Sequence, residues 1–236
     1  MIYLVENFAS FIHLDIRCPS CYNLDMRKTK FVIGEYYHVY NRGTDKRNIF
    51  VDEKDLFRFW ESLFDFNQIE PIGSVYELSF KKKSGKINKK GKPLVQFIAY
   101  CINPNHFHFL ITPLQEKGIE KFMQRLGNGY TKYFNNKHKR SGVLFQGKFK
   151  SKYIDSNEYL LHLSAYINTN DKLGHPKSKL SKSSLSEFLG NVSEKKLCNT
   201  SIILEQFRNK KEYEDFVISS LEDIVLRKEM LKELEG

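Results

Sequence analysis

The sequence predicts an α+β fold, in which helices cover an antiparallel β-sheet. Segments of β-branched and aromatic residues bounded by turn residues indicate strands, and longer segments with apolar residues at helical spacing indicate helices. Two such helices covering one face of an antiparallel sheet form the α+β pattern. At 236 residues, the chain has enough sequence for one domain, or for one domain with an appendage.

The predicted elements follow one another between residues 35 and 170. In chain order they are a strand near 35–42, a helix near 52–68, strands near 74–82, 94–102 and 106–112, a helix near 118–138, a strand near 143–154 and a helix near 156–170. The first helix begins in an acidic run and has a buried apolar stripe, namely Leu56, Phe59, Trp60 and Leu63. The turn Asn103–Asn105 joins the two central strands, because Asn and Pro favour turns.

Two histidines lie close together on the second of these central strands. Side chains on a strand alternate between its faces, so His106 and His108 project to one side and Phe107 projects to the other. Two imidazoles on one face can converge on a single divalent cation. The same pattern is also compatible with two sheet histidines that are hydrogen-bonded to their neighbours.

A tyrosine and an asparagine lie one turn apart on the last predicted helix. This helix begins at residues 155–158 with capping side chains and an acid, and Leu160, Leu163 and Ile167 belong to its apolar stripe. Tyr166 and Asn170 share a different face of the helix. The phenolate of Tyr166 could attack a phosphate, and the amide oxygen of Asn170 could be a third ligand to the cation. Taken alone, Tyr166 is one of 13 tyrosines and could be an ordinary amphipathic residue.

Four segments in this order resemble the single-tyrosine HUH transposases, and among them the REP-associated tyrosine transposases. Residues Tyr37–Gly43 resemble the first strand and Asn-Arg-Gly turn of that family. Residues Asn103–His108 resemble its Pro-x-His-hydrophobic-His segment, and Gly142–Ser151 resemble its Gly-x-Leu-aromatic-Gln-Gly-Arg-Phe-Lys-Ser signature. Residues Tyr166–Asn170 match its nucleophile helix. The family usually continues with Pro-Val, whereas this chain has Asp171 and Lys172.

The resemblance implies the ferredoxin-like, RRM-like HUH fold and a metal-dependent cleavage of single-stranded DNA. Tyr166 would be the nucleophile that forms a 5′-phosphotyrosine link, and His106, His108 and Asn170 would hold Mg²⁺ or Mn²⁺. No nucleotide cofactor is needed, since the link keeps the bond energy for strand transfer. The substrate would be single-stranded DNA with hairpins, and the protein would act as a monomer, with a dimer as the alternative. Tyr130 and Tyr133 are rival tyrosines, and His38 is a neighbour of the site or a packed sheet residue.

The net charge of +10 favours a polyanionic partner. Basic residues interleaved with aromatic residues suit a single strand, because rings stack on bases while lysines follow phosphates. The acid-free segment 81–92 is either a solvated loop or a phosphate-binding arm. The candidate DNA-contacting residues are Asn41, Arg42, Arg125, Lys132, Arg140, Gln146, Lys148, Lys150 and Lys152.

Two other functions remain open from the sequence. The first is a catalytically silent module that binds DNA hairpins for regulation. The second is an RNA-binding protein with the same sheet topology, although no suitable strand carries the aromatic motif with which such domains stack on RNA.

The remaining sequence predicts three parts and a cytoplasmic location. Residues 1–25 are expected to be an N-terminal extension, 26–175 the transposase domain, and 176–236 a linker with a helical C-terminal extension. Cys18 and Cys21 have the spacing of half a zinc site, without a second close pair. No signal peptide or membrane-spanning segment is evident, and a reducing cytoplasm is the expected compartment.

Overall fold

A computed structural model describes residues 30–71, 91–174, 179–191 and 195–235 of the chain. The strand predicted near 74–82, most of the lysine-rich segment 81–92, and the N-terminal extension with Cys18 and Cys21 lie outside the described residues. Within the described residues, no helix combines the length and apolar character needed to cross a membrane.

The centre of the structure is an antiparallel sheet with the ferredoxin-like connection of strands and helices. The described elements run in the order β1 (Tyr36–Arg42), α1 (Glu53–Asp65), β2 (Val95–Asn103), β3 (His106–Pro113), α2 (Gly118–Lys137) and β4 (Lys150–Ile154). The strand order in space is β4-β1-β3-β2, and a short β5 (Lys182–Ser183) pairs with the outer edge of β2. The predicted α+β, ferredoxin-like fold class is therefore confirmed.

Helices α1 and α2 cover one face of the sheet, which we call the phenylalanine face because Phe107 and Phe109 project from it. Phe59 of α1 packs against both of these rings. The aromatic and aliphatic side chains of this layer form the larger apolar core, which also includes Tyr130 of α2. Helix α1 begins where predicted, with the Asp52 carboxylate accepting a hydrogen bond from the backbone N–H of Asp55.

The opposite face carries His106 and His108, and we call it the histidine face. Helix α3 (Asn157–Gly174) lies on this face and buries its apolar stripe against β2. It begins after Ser156, whose hydroxyl accepts a hydrogen bond from the backbone N–H of Tyr159. Three further helices complete this layer, α4 (Leu185–Leu189), α5 (Ser201–Leu204) and α6 (Lys210–Glu235).

Residues after 178 are joined to the sheet and to α3 by a buried polar network. Asn168 of α3 donates a hydrogen bond to the phenol oxygen of Tyr213 on α6 (2.8 Å) and accepts one from the hydroxyl of Ser184 (2.5 Å). Ser184 also accepts a hydrogen bond from the backbone N–H of Tyr100 in β2. The C-terminal helices therefore hold α3 from the side that faces away from the histidines.

Three expectations about the elements need correction. The strand expected at 143–154 is confined to Lys150–Ile154, because Gly142 and Gly147 adopt positive φ angles that make 142–149 a looped segment. Helix α3 continues to Gly174, since Asp171 and Lys172 lack the ring that would interrupt a helix. The sheet carries helices on both faces, because α3 and the C-terminal helices bury the apolar part of the histidine face. The three-part division of the chain remains a prediction.

Candidate active site on the histidine face

The register of the sheet determines which side chains share the histidine face. His106 is paired with Arg42 of β1 and Asn103 of β2, and His108 is paired with Tyr40 and Cys101. Directly opposed residues in an antiparallel pair project to the same side. The strands therefore bring polar and basic side chains from β1, β2 and β3 to one end of this face, beside α3.

His106 lies between two asparagines that fix its ring. Its Nδ1 is 2.6 Å from the Asn105 side-chain oxygen, which can only accept, so Nδ1 carries the hydrogen and Nε2 carries a lone pair. That Nε2 is 3.1 Å from the Asn170 amide oxygen, which holds lone pairs of its own. Two electron-pair donors that face each other at this distance are arranged to share a cation.

His108 lies deeper in the same face and is 8% exposed. Burial, together with the neighbouring His38 and His106, holds the pKa of His108 well below its usual value, so the ring is neutral. Its Nδ1 is 2.8 Å from Nε2 of His38. When Nδ1 of His108 donates this bond, its Nε2 has a free lone pair, and His38 fixes the orientation of the ring. His38 is therefore both packed in the sheet and a neighbour of the site.

Tyr166 is half-buried and lies against His108. The two ring centroids are 5.8 Å apart and the rings meet edge to face. The next residue, Ile167, is fully buried in the core below the helix, which turns Tyr166 toward the sheet surface. Asn170 follows one turn later, and its side chain reaches His106. The structure thus gathers all four predicted residues of the chemistry, His106, His108, Tyr166 and Asn170.

The rival tyrosines lie on the other side of the sheet. Tyr130 is 1% exposed in the core of the phenylalanine face, and its phenol donates a 2.7 Å hydrogen bond to the backbone oxygen of Ile49. Burial raises the pKa of Tyr130 far above its usual value. Tyr133 lies beside it, and burial raises the pKa of Tyr133 as well. A phenol that is hard to ionise and faces the core is poorly placed to attack DNA.

Three of the predicted DNA-contacting residues lie on the histidine face. Arg42 projects beside His106, and the exposed Lys150 is paired with Tyr40. Lys152 is paired with His38, and its ammonium group lies 5.1 Å from the centre of the Tyr159 ring. Together these residues extend positive charge from the histidines across β1 to β4.

Three more predicted contacts, Asn41, Gln146 and Lys148, lie together at the end of β1. The Asn41 side-chain amide donates a hydrogen bond to the backbone oxygen of Gly147 (3.3 Å). The backbone N–H of Gln146 donates a hydrogen bond to the backbone oxygen of Arg42 (2.8 Å). The Asn-Arg-Gly turn and the Gln-Gly-Lys segment are thus neighbours in space. Gly43 is required at this turn, because a side chain there would collide with the Arg47 carbonyl.

The other three predicted contacts belong to α2 or the residues after it. The Arg125 guanidinium donates to the backbone oxygens of Gln68 and Ile69, so it holds the end of the α1 segment. Arg140 donates to Asn135 and to the backbone oxygen of Val143. Lys132 is exposed on α2. The hydrogen bonds of Arg125 and Arg140 stabilise the fold. A role in DNA binding remains a prediction for these two arginines and for Lys132.

Asn103 is the site residue that sequence reasoning missed. It was assigned to a turn, yet it is the last residue of β2 and is fully buried opposite His106. Its amide nitrogen donates a 2.7 Å hydrogen bond to Asn170 and lies 3.1 Å from Nε2 of His106. The sequence contains one indication of this position. Asn103 and His106 are three residues apart, and a two-residue turn between them places them opposite each other in a hairpin.

The site fits a divalent cation by its donor atoms. Among the described residues, no three His, Cys, Asp or Glu side chains converge on one point. Here two imidazoles lie beside one amide oxygen, that of Asn170, instead. The 3.1 Å between His106 Nε2 and Asn170 Oδ1 matches the spacing of about 3 Å between adjacent ligands of an octahedral ion.

The fold and this cluster define a ferredoxin-like domain with a His, His, Asn and Tyr site on its sheet. Residues 76–170, less than half of the chain, match the family described as IS200-like transposases. This match includes His106, His108 and Tyr166 and ends at Asn170. The segment 76–170 is therefore similar to the IS200-like transposases, in agreement with the resemblance of the sequence motifs.

Comparison with solved structures gives distant similarities. One is the structure of a REP-associated tyrosine transposase bound to a REP hairpin, with 11% identity, a TM-score of 0.46, and coverage of 71% of this chain and 86% of that one. Another is a protein from Deinococcus radiodurans R1 named as a transposase, with 16% identity, a TM-score of 0.33, and coverage of 60% and 95%. No curated protein matches the sequence.

Proposed function

We propose that the protein is a metal-dependent endonuclease and strand transferase that cleaves single-stranded DNA at or near hairpins through a covalent tyrosine link. The observation that carries this proposal is the convergence of Tyr166 with His106, His108 and Asn170 on one face of the sheet. These residues come from one strand that ends at Pro113 and one helix that begins at Asn157. The similarity of residues 76–170 to the IS200-like transposases supports the same chemistry.

Each residue has a role that follows from its position. His106 and His108 would offer their Nε2 atoms, and Asn170 its amide oxygen, to a Mg²⁺ or Mn²⁺ ion. When bound, this ion would draw electron density from the scissile phosphate. Asn105 and His38 hold the two histidine rings through Nδ1, which keeps both Nε2 atoms directed at the site.

The reaction needs no energy-rich cofactor. The Tyr166 oxygen loses its proton to solvent and bonds to phosphorus, while the bond from phosphorus to the 3′-oxygen breaks. The departing 3′-oxygen takes up a proton, and the 5′-phosphate stays on the tyrosine. A different 3′-hydroxyl can reverse the reaction, which transfers the strand.

The surface around Tyr166 suits a single strand of DNA. Arg42, Lys150 and Lys152 extend from the histidines across the open side of the face and can follow phosphates. Tyr40 stacks with His38 and His108 and is half-buried, so it offers an aromatic ring between the basic residues. The hairpin preference and the assignment to the REP-associated group rest on the resemblance of the four sequence segments.

The proposal includes the oligomeric state and the cellular compartment, namely a monomer in the cytoplasm. All four residues of the chemistry come from one chain, which agrees with action as a monomer. The described cysteines Cys101 and Cys198 are free thiols, as expected in the reducing cytoplasm.

The test is to incubate the protein with single-stranded hairpins from the DNA that flanks its gene, labelled at the 5′ or the 3′ end, with Mg²⁺ or Mn²⁺. We expect an adduct that survives denaturing electrophoresis and carries the 3′ label, together with a free fragment that carries the 5′ label. A chelator is the control. An adduct that carries the 5′ label would contradict the direction of attack.

Tight hairpin binding without an adduct in either metal would instead favour a catalytically silent DNA-binding module. An RNA hairpin of the same sequence is the second control, and binding of RNA in preference to DNA would favour the RNA-binding alternative.

A further inference from the structure

The Asn103 side chain is placed at the centre of the candidate metal site. It projects from the end of β2 onto the histidine face and is opposite His106 in the register of the sheet. It is fully buried, and its nitrogen lies within hydrogen-bonding distance of both His106 and Asn170.

The two ends of this amide are in unequal surroundings. The nitrogen points at the lone pairs of His106 Nε2 and Asn170 Oδ1. The oxygen, Asn103 Oδ1, is buried and has no hydrogen-bond partner. A buried carbonyl without a donor is unfavourable, and natural proteins rarely retain one without a functional reason.

The hydrogens of the Asn103 amide lie close to the position that a cation bound by His106 Nε2 and Asn170 Oδ1 would occupy. Without a cation, they bridge the two lone-pair atoms and hold them 3.1 Å apart. With a cation between those atoms, the same hydrogens would face positive charge. Because the amide oxygen and nitrogen have almost the same size, a half-turn of the group exchanges them within the same space.

We propose that Asn103 is a fourth protein ligand of the divalent cation, and binds it through Oδ1 after this half-turn. The inference rests on the proposed function, because that function supplies the cation. The half-turn directs the unpaired oxygen to the ion and places the amide nitrogen in the position that the oxygen leaves. The site then has two imidazole nitrogens and two amide oxygens, and the added oxygen suits Mg²⁺ and Mn²⁺.

The test measures Mn²⁺ binding to the full chain without DNA. Electron paramagnetic resonance of free Mn²⁺ gives the affinity, and ¹⁷O-water hyperfine coupling gives the number of waters on the bound ion. Asn103→Leu should bind Mn²⁺ at least about tenfold more weakly and retain one more water than the wild type. Asn103→Asp keeps an oxygen at this position and should retain the wild-type number of waters.

Thr112→Val is the matched control. Thr112 lies on the same face of β3, and its hydroxyl is also buried without a partner, but it is six residues from His106. This variant should bind Mn²⁺ as the wild type does. Thermal unfolding of each variant in the absence of metal checks that it folds.

Two results would overturn the inference in different ways. If Asn103→Leu binds Mn²⁺ with the wild-type number of waters, Asn103 acts only as a donor that positions Asn170 and His106. If the wild type binds no Mn²⁺, or His106→Ala binds it as tightly as the wild type does, the proposed metal site itself is wrong.

Discussion

Two clusters of buried polar groups, one around Asp55 on the phenylalanine face and one around His106 on the histidine face, differ in how their hydrogen bonds are satisfied. On the phenylalanine face, the fully buried Asp55 carboxylate is bonded to Lys137 (2.6 Å) and to His138 (2.8 Å). The Tyr130 phenol on that face is bonded to a backbone oxygen. On the histidine face, the lone pairs of His106 and Asn170 face each other, and the Asn103 oxygen has no partner.

The difference indicates that the polar groups around Asp55 stabilise the fold, whereas those around His106 are available to a ligand. A polar group that is paired inside the protein stabilises the fold and offers nothing to a ligand. Buried acceptor atoms that lack a hydrogen-bond donor in the protein can still bind a ligand, and such atoms are concentrated at functional sites. Matched substitutions on the two faces should therefore change different properties.

The largest contrast is expected between two Tyr→Phe variants. Tyr166→Phe removes the proposed nucleophile, so the covalent adduct should disappear while thermal unfolding stays close to that of the wild type. Tyr130→Phe leaves the Ile49 carbonyl without its buried donor and should lower the free energy of unfolding by about 1–3 kcal/mol. Adduct gels and urea unfolding measure the two effects. A folded Tyr130→Phe protein that forms no adduct would break the contrast.

The histidines give the second contrast. His106→Ala removes a proposed ligand and should lower the rate of adduct formation by about 10²–10³-fold. Removing metal from the wild type with a chelator should have a similar effect that added Mn²⁺ reverses. His138→Ala, on the other face, should reduce stability and leave the metal dependence unchanged. An equal response of the two variants to Mn²⁺ would refute the assignment.

Asp55→Ala should have the largest effect on stability. It leaves the Lys137 ammonium group without the buried half of its ion pair and His138 without an acceptor. Breaking a buried pair of this kind costs about 3–5 kcal/mol, measured as the free energy of unfolding in urea. Adduct formation per folded molecule should stay at the wild-type level, and a specific loss of activity would show that the two faces are coupled.

The smallest effect in the series is expected from surface charge. Replacing Lys150 and Lys152 by Gln should weaken single-stranded DNA binding by about tenfold and reduce its dependence on salt, because fewer counterions are released. The matched double variant replaces Lys54 and Lys121, which are exposed on α1 and α2. If both double variants lose the same affinity, binding depends on net charge and not on the histidine face.

The sequence was sufficient to predict the fold class and to select four candidate site residues that the structure brings together on the histidine face. Alternation along β3 placed His106 and His108 together, and helical spacing placed Asn170 one turn after Tyr166. Both periodicities are local, so they can be read from neighbouring residues. The resemblance to a known family then connected the strand with the helix.

The features that depend on distant pairing were not predictable in this way. Asn103 reaches the site through its cross-strand position opposite His106, and the partner of His38 follows from the register of β1 with β3. The two-residue strand β5 has too little sequence to show a pattern. Arg125 and Arg140 are bonded to backbone oxygens of other segments, which composition does not reveal.

The most direct test of the account is to locate the covalent link by mass spectrometry. The adduct formed with hairpin DNA and Mn²⁺ would be digested with nuclease and trypsin, and the modified peptide would be fragmented. The account predicts a nucleotide attached through its 5′-phosphate to Tyr166, in the peptide that follows Lys152. A nucleotide attached to Tyr130, Tyr133 or any other residue would contradict it.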